Sequence, residues 1–251
     1  MAREAAGLAA AGRAVRMPDM PGFVFFDVDD TLLDDGHATA AGARAFFAEH
    51  RDEFPGPADE FVRLWATVTA RHIDRWHRGE CSHLEQRHAR LRDVWRKGAL
   101  SDAEADRIFA GYLRHYLANV RLFPDALPCI ESLAGMPVGV ITNGDSELQR
   151  AKLRSVGLLD RFQPVFVSGD IGVDKPDPRI FREAARLAGL APEECIYVGD
   201  RLESDALGAG RAGMRGVWLD RAGRAEATPH GIAVIGGLVE LSRLVKQRGT
   251  A

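Results

Sequence analysis

The chain has 251 residues, 46% of them hydrophobic, and a formal net charge of −3. That is length enough for a sizeable core, either one large α/β domain or a core carrying an insertion. The near-balanced charge gives no electrostatic pull toward nucleic acid or an anionic membrane, and no apolar run approaches the roughly 20 residues of a membrane span.

Residues 1–21 are rich in Ala and Gly, with Arg3, Arg13 and Arg16 interspersed, and read as a disordered leader. Their apolar stretch is too short and too broken by glycine for a signal peptide. The first strand is expected at 22–27 (GFVFFD), apolar until its last residue.

The stretch 37–118 then shows no strand pattern and reads as four helices, an inserted cap. In one, Phe61, Leu64, Trp65, Val68, His72 and Trp76 share a face. In the next, Leu84, His88, Leu91 and Trp95 do so after a Ser82/Glu85 capping box. His88 lies on that apolar stripe and is expected to pack within the cap. A Ser101/Glu104 box opens a helix with the stripe Ile108, Phe109, Tyr112 and Tyr116. Residues 61–97 hold nine Arg or Lys against four acids, which suits either a solvated helix face or attraction of a multiply anionic ligand.

After the insertion, Val- and Ile-rich runs recur at 137–142, 164–168, 195–199 and 215–219, with a weaker one at 232–235. Runs apolar at every position belong to strands covered on both faces, as in a parallel sheet. Segments at about 125–134, 146–156, 177–189 and 203–212 suit crossover helices. Asp177 is placed to cap one of them, with Pro178 in its first turn. The expected fold is therefore α/β: a Rossmann-like parallel sheet built from 22–36 and 119–251, with a four-helix-bundle cap at 37–118. Cys81, Cys129 and Cys195 are scattered and form no CxxC pair, which fits buried thiols in a reducing cytoplasm better than a disulfide framework or a zinc site.

Four polar elements stand at the C-terminal ends of predicted strands, where open α/β sheets bind ligands. Asp27-Val28-Asp29-Asp30-Thr31 is either a polar turn or a nucleophile beside an acid/base, with Thr31 orienting the turn. Thr142-Asn143-Gly144-Asp145 is an ordinary turn or a holder of phosphoryl oxygens. Asp174-Lys175-Pro176 presents a surface lysine or one pinned for function. Gly199-Asp200 through Asp205 places carboxylates on a strand-to-helix turn, for capping or for a cation.

In this order the four elements, with the insertion after the first, resemble the haloacid dehalogenase superfamily, in particular its helically capped phosphatases. The run 148–157 followed by 174–181 is similar to the branch of nucleotidases and sugar-phosphate phosphatases. The resemblance implies a Mg2+-dependent phosphatase acting on a small phosphorylated metabolite. Asp27 would be the nucleophile, forming an aspartyl-phosphate, and Asp29 the acid/base. Mg2+ would be held by Asp27 and Asp200 and by the backbone carbonyl of Asp29. Lys175 would neutralise the nucleophile and a phosphoryl oxygen, while Thr142 and Asn143 hold another. Asp205 would steady the turn behind the metal. A phosphomutase or a haloacid dehalogenase on the same scaffold remains open, as does, outside enzymes, a phosphate-accepting signalling or binding domain. The resulting expectation is a cytoplasmic monomer or homodimer with a small-molecule partner.

Overall fold

A computed structural model describes residues 22–54, 56–225 and 232–246; the expected leader at 1–21 lies outside them. Six parallel strands form one sheet: β1 (Phe23–Phe26), β2 (Val138–Thr142), β3 (Val165–Val167), β4 (Cys195–Gly199), β5 (Arg215–Leu219) and β6 (Ala233–Ile235). Their spatial order is β3-β2-β1-β4-β5-β6. All six lie in the segments expected from the sequence.

The alternation of β1 explains its uninterrupted apolar run. Val24 and Phe26 join one core with Cys129, Ile130, Leu238 and Leu241. Phe23 and Phe25 join another on the opposite face, with Ile180, Phe181 and Tyr197. The helices on these faces are α5 (Ala126–Ser132), α6 (Ser146–Ser155), the single turn α7 (Ser168–Ile171), α8 (Pro178–Leu187), α9 (Gly208–Ala212) and α10 (Leu238–Lys246). Asp177 caps α8 as expected, accepting from the Arg179 amide at 2.9 Å.

Two features differ from the sequence reading. The helix expected at 203–212 begins as a π-helical turn at Leu202–Leu207, and only α9 is regular. α10 adds an element that the reading leaves unassigned.

β1 sits at the middle of the sheet, with Phe26 in register with Val140 on β2 and Val198 on β4. The chain leaves β1 toward one edge and returns through β4 toward the other. That reversal opens a crevice at the strand ends, and the residue after β1 stands at its floor.

Between β1 and β2 run α1 (Asp35–Glu49), α2 (Ala58–His77), α3 (His83–Val94) and α4 (Asp102–Ala118). They share an aromatic core that includes Phe46, Phe61, Trp65, Phe109 and Tyr112. Both expected capping boxes are present. α1 starts two residues before 37, because Asp34 caps it by accepting from the His37 amide at 3.0 Å. The buried stripe of α2 is narrower than expected: Phe61, Trp65, Val68 and His72 are buried, whereas Leu64 turns outward at 40% exposure. Leu84, in the first turn of α3, is likewise half exposed. His88 is buried as expected, against Asp106 at 2.6 Å.

The two segments joining this helical layer to the sheet run side by side. Leu33 bridges Leu122 in antiparallel fashion, and Arg121 pairs with Asp34 at 2.6 Å. Among the described residues, no helix is long and apolar enough to cross a membrane.

Candidate active site

Asp27 follows β1 directly, and its amide still pairs with the Val198 carbonyl at 2.9 Å, as though the strand continued. The next residues turn back tightly, so that the Val28 carbonyl accepts from both Leu32 and Leu33 at 2.9 Å. Asp30 takes a left-handed conformation, φ 55°, which a short carboxylate side chain tolerates. The turn leaves Asp27 only 6% exposed, with the Thr31 hydroxyl 3.4 Å from its Oδ2.

Lys175 meets Asp27 from the other side of β1. Its Nζ donates to Asp27 Oδ1, Asp205 Oδ1 and the Tyr197 hydroxyl, each at 2.7 Å. Three donors and three acceptors leave the buried ammonium fully satisfied. The loop that carries it is clamped by Asn143. That side chain accepts from the Lys175 amide at 2.7 Å and donates to the Lys175 carbonyl at 3.0 Å. Thr142, at the end of β2, is buried and also lines the crevice.

Asp205 is 1% exposed and accepts from the Arg201 amide at 2.9 Å as well as from Lys175. The π-helical turn brings its carboxylate against Gly199, where any Cβ would collide with it. Asp205 thus ties the turn after β4 to Lys175 through these two contacts.

Asp27, Asp200 and Asp205 each place a carboxylate oxygen within 4.8 Å of the others. Lys175 pairs with two of the three, Asp27 and Asp205. Burial first, then Asp205 and Asp29, push the Asp27 carboxyl up to about 7 against the opposing pull of Lys175. Burial, Asp27 and Asp205 push Asp200 up to about 8. Lys175 is held above the ordinary lysine value, because the two aspartates outweigh its burial. An all-oxygen donor set with excess negative charge is the chemistry of a hard divalent cation site.

Asp29 points elsewhere. Its carboxylate accepts twice from Lys152 Nζ, both at 2.8 Å, and from Gln149 Nε2 at 2.9 Å. Lys152 also lies 3.8 Å from Asp35, which takes a hydrogen bond from the Tyr116 hydroxyl of α4. Asp29 is thus brought to the crevice, but toward α6 and the helical layer rather than toward Lys175.

Sequence reasoning missed Gln149, Lys152 and Tyr197. The signals existed: Gln149, Lys152, Leu153 and Val156 follow a core-facing spacing with two polar members, and Tyr197 is a hydroxyl inside an otherwise apolar strand.

The sheet ends and the helical layer enclose a cavity of about 210 Å³. Its floor carries Asp27, Lys175 and Asp200, and its roof carries Arg87 and Arg90 of α3. Arg90 is 7% exposed, with its guanidinium 5.1 to 5.6 Å from the rings of Trp65, Phe109 and Tyr112. Such stacking contributes about 0.5–2 kcal/mol per ring, against a desolvation cost of several kcal/mol for a buried ion.

A model of the haloacid dehalogenase-like hydrolases matches residues 23–213. Over 215 residues the chain is 37% identical to a glyceraldehyde 3-phosphate phosphatase of Methanopyrus kandleri, covering 79% of this chain and 83% of the relative. Among solved structures, the magnesium-bound HAD-hydrolase YfnB of Bacillus subtilis superposes with a TM-score of 0.76 at 25% identity, over 89% of this chain and 98% of that one. A 2-haloacid dehalogenase of Pseudomonas syringae pv. Tomato gives 0.67 at 30% identity, over 91% and 99%.

Proposed function

The chain belongs to the haloacid dehalogenase-like hydrolases, and on that premise we propose that it is a magnesium-dependent phosphatase of small phosphorylated metabolites, with Asp27 as its nucleophile. The observation that carries this reading is the buried Asp27–Lys175–Asp205 cluster with Asp200 beside it. A carboxylate nucleophile and an anionic ester repel each other, so their charges need neutralising before they can meet.

Mg2+ held by Asp27, Asp200 and the Asp29 carbonyl would supply the charge that Lys175 alone lacks. Lys175 holds Asp27 in place and balances part of the phosphoryl charge. Thr142 and the Asn143 turn border the phosphoryl pocket. In the first step a carboxylate oxygen of Asp27 bonds to phosphorus as the ester P–O bond breaks in line, and Asp29 gives a proton to the departing oxygen. In the second, Asp29 takes a proton from water as that water attacks the phosphorus. This releases phosphate and restores the Asp27 carboxylate. Asp29 must turn from Lys152 to serve both steps, and an arriving ester is the natural competitor for that lysine. Helices α1–α4 act as a cap that shuts the cavity from bulk water during transfer.

Substrate size follows from the enclosed volume, and the small phosphoester named for the Methanopyrus relative supports the same class. The dehalogenase neighbour supports a rival, but halide release needs neither an acid at Asp29 nor a cation at Asp200. Hydrolysis of p-nitrophenyl phosphate, set against chloride release from 2-chloropropionate, separates the two. We expect phosphate release that EDTA abolishes and Mg2+ restores. Chloride release without phosphate release would refute the phosphatase reading.

A further inference from the structure

The basic residues of 61–97 divide into two sets. Arg71, Arg75, Arg78, Arg92 and Lys97 pair with acids, and Arg63 and Arg96 are exposed to water. Arg90 is buried and Arg87 partly so, and neither is among the paired residues. They lie one turn apart on α3, flank the Phe109 ring at 5.9 and 5.1 Å, and face the cavity. Among the described residues, no carboxylate forms an ion pair with either.

Among the described residues, Arg90 donates to the neutral Gln86 Oε1 at 3.5 Å and lies 5.6 Å from the centre of the Tyr112 ring. Its Nε has no partner at all. Asp35 acts on it electrostatically but is already engaged by Tyr116 and Lys152. Burial pulls both guanidiniums below the ordinary arginine value. Asp145 and Asp106 act on Arg87 only at a distance, so a buried and a half-buried fork, with no ion pair among the described residues, stand opposite the carboxylate floor as half of an ion-pair site.

Resting on the phosphatase reading, we infer that Arg87 and Arg90 bind a second anionic group of the substrate, a carboxylate or a second phosphoryl. The metabolite then spans the cavity, its ester at Asp27 and its second anion on α3. The aromatic box around Arg90 holds the guanidinium rigid and excludes water, which strengthens the pair. A neutral substrate leaves both arginines uncompensated, so the site selects against it as well as for its anionic counterpart.

The test compares kcat/KM within two matched pairs, 3-phosphoglycerate against glycerol 3-phosphate and fructose 1,6-bisphosphate against fructose 6-phosphate. p-Nitrophenyl phosphate serves as the probe without a second anion. Wild type should prefer the anionic member of at least one pair by about 10- to 100-fold, mostly through KM. Preference in the first pair alone identifies a carboxylate, and in the second alone a phosphoryl group. In Arg90→Met the preference should collapse toward one, while Arg90→Lys keeps part of it. Should Arg90→Met fail to fold by circular dichroism, Arg87→Met carries the same expectation. Wild type without preference, or a preference that survives in the folded variants, overturns the inference while p-nitrophenyl phosphate hydrolysis leaves the phosphatase reading standing. If wild type hydrolyses none of the five phosphates, the phosphatase reading falls and the inference with it.

Discussion

Asp27 and Asp29 share one turn and have different surroundings. Asp27 is buried and locked to Lys175, whereas the Asp29 carboxylate is 31% exposed and rests on Lys152 and Gln149. Such a difference suits the roles proposed for them, a fixed nucleophile at Asp27 and a mobile proton carrier at Asp29. Asp29→Asn can still accept from Lys152, so the local structure should hold while proton transfer is lost. We expect turnover to fall about 10²–10⁴-fold for alkyl phosphates and distinctly less for aryl phosphates, whose leaving groups need less protonation. Equal losses for both would remove the acid role. At this scale the sequence was informative where residue types cluster on a strand end, as at Asp27, Asp200 and Asp205. It was silent where partners come from distant helices. Lys152 reads as one more basic residue of a solvated helix, and Arg90 as one of nine in a cationic stretch. Only packing shows that the first meets Asp29 and that the second forms no ion pair among the described residues.

Elements carry these residues into place, and one clasp joins three of them. Asp125, at the start of α5, accepts two bonds from Arg221 at 3.0 and 2.9 Å and caps α10 through the Leu238 amide at 2.8 Å. Arg221 also donates to the Thr31 carbonyl at 2.9 Å, which ties the clasp to the turn of Asp27. Burial pushes the Asp125 carboxyl up, but Arg221 and the amide outweigh it and hold the group below the ordinary carboxylate value. The folded chain therefore binds fewer protons here than the unfolded one. The clasp's contribution is complete above the unfolded value of about 4 and is lost as pH falls through the folded value. Asp125→Asn should cost about 1–2 kcal/mol at pH 7, with the gap to wild type narrowing in urea unfolding near pH 3. A gap unchanged between the two pH values would contradict the linkage. The six strands were legible because each is apolar at every position, and the capped helices because Ser82, Ser101 and Asp177 announce them. The π-helical turn was not, since its extra residue serves the reach of Asp205 toward Lys175, a tertiary demand that leaves no local pattern. The α10 stripe of Leu238, Leu241 and Val245 was present in the sequence, but in a short helix next to a weak strand.

At the scale of the molecule, two cores meet over one cavity. The helical layer closes on the sheet through Arg201, which follows Asp200 and donates to His77 Nδ1 at 2.8 Å. Burial, then Arg201, pushes His77 down to about 4, so at neutral pH its ring is uncharged and can accept that bond. The contact joins the end of α2 to the loop that holds the proposed cation, and α4 reaches the same cavity through Tyr116, Asp35 and Lys152. The helical layer thus touches the site at groups flanking Asp27 rather than at Asp27 itself. That arrangement suits a lid over a covalent step, in which water must be kept out while phosphorus moves to Asp27 and admitted afterward. The proposed covalent step is central, and trapping the phosphoryl-enzyme tests it most directly. The decisive measurement is acid quenching during turnover followed by mass spectrometry of the peptides. The account predicts one phosphoryl group on the peptide that carries Asp27, absent in Asp27→Asn, which should also be inactive. Steady turnover by Asp27→Asn within tenfold of wild type, with no phosphorylated peptide in either protein, would contradict it.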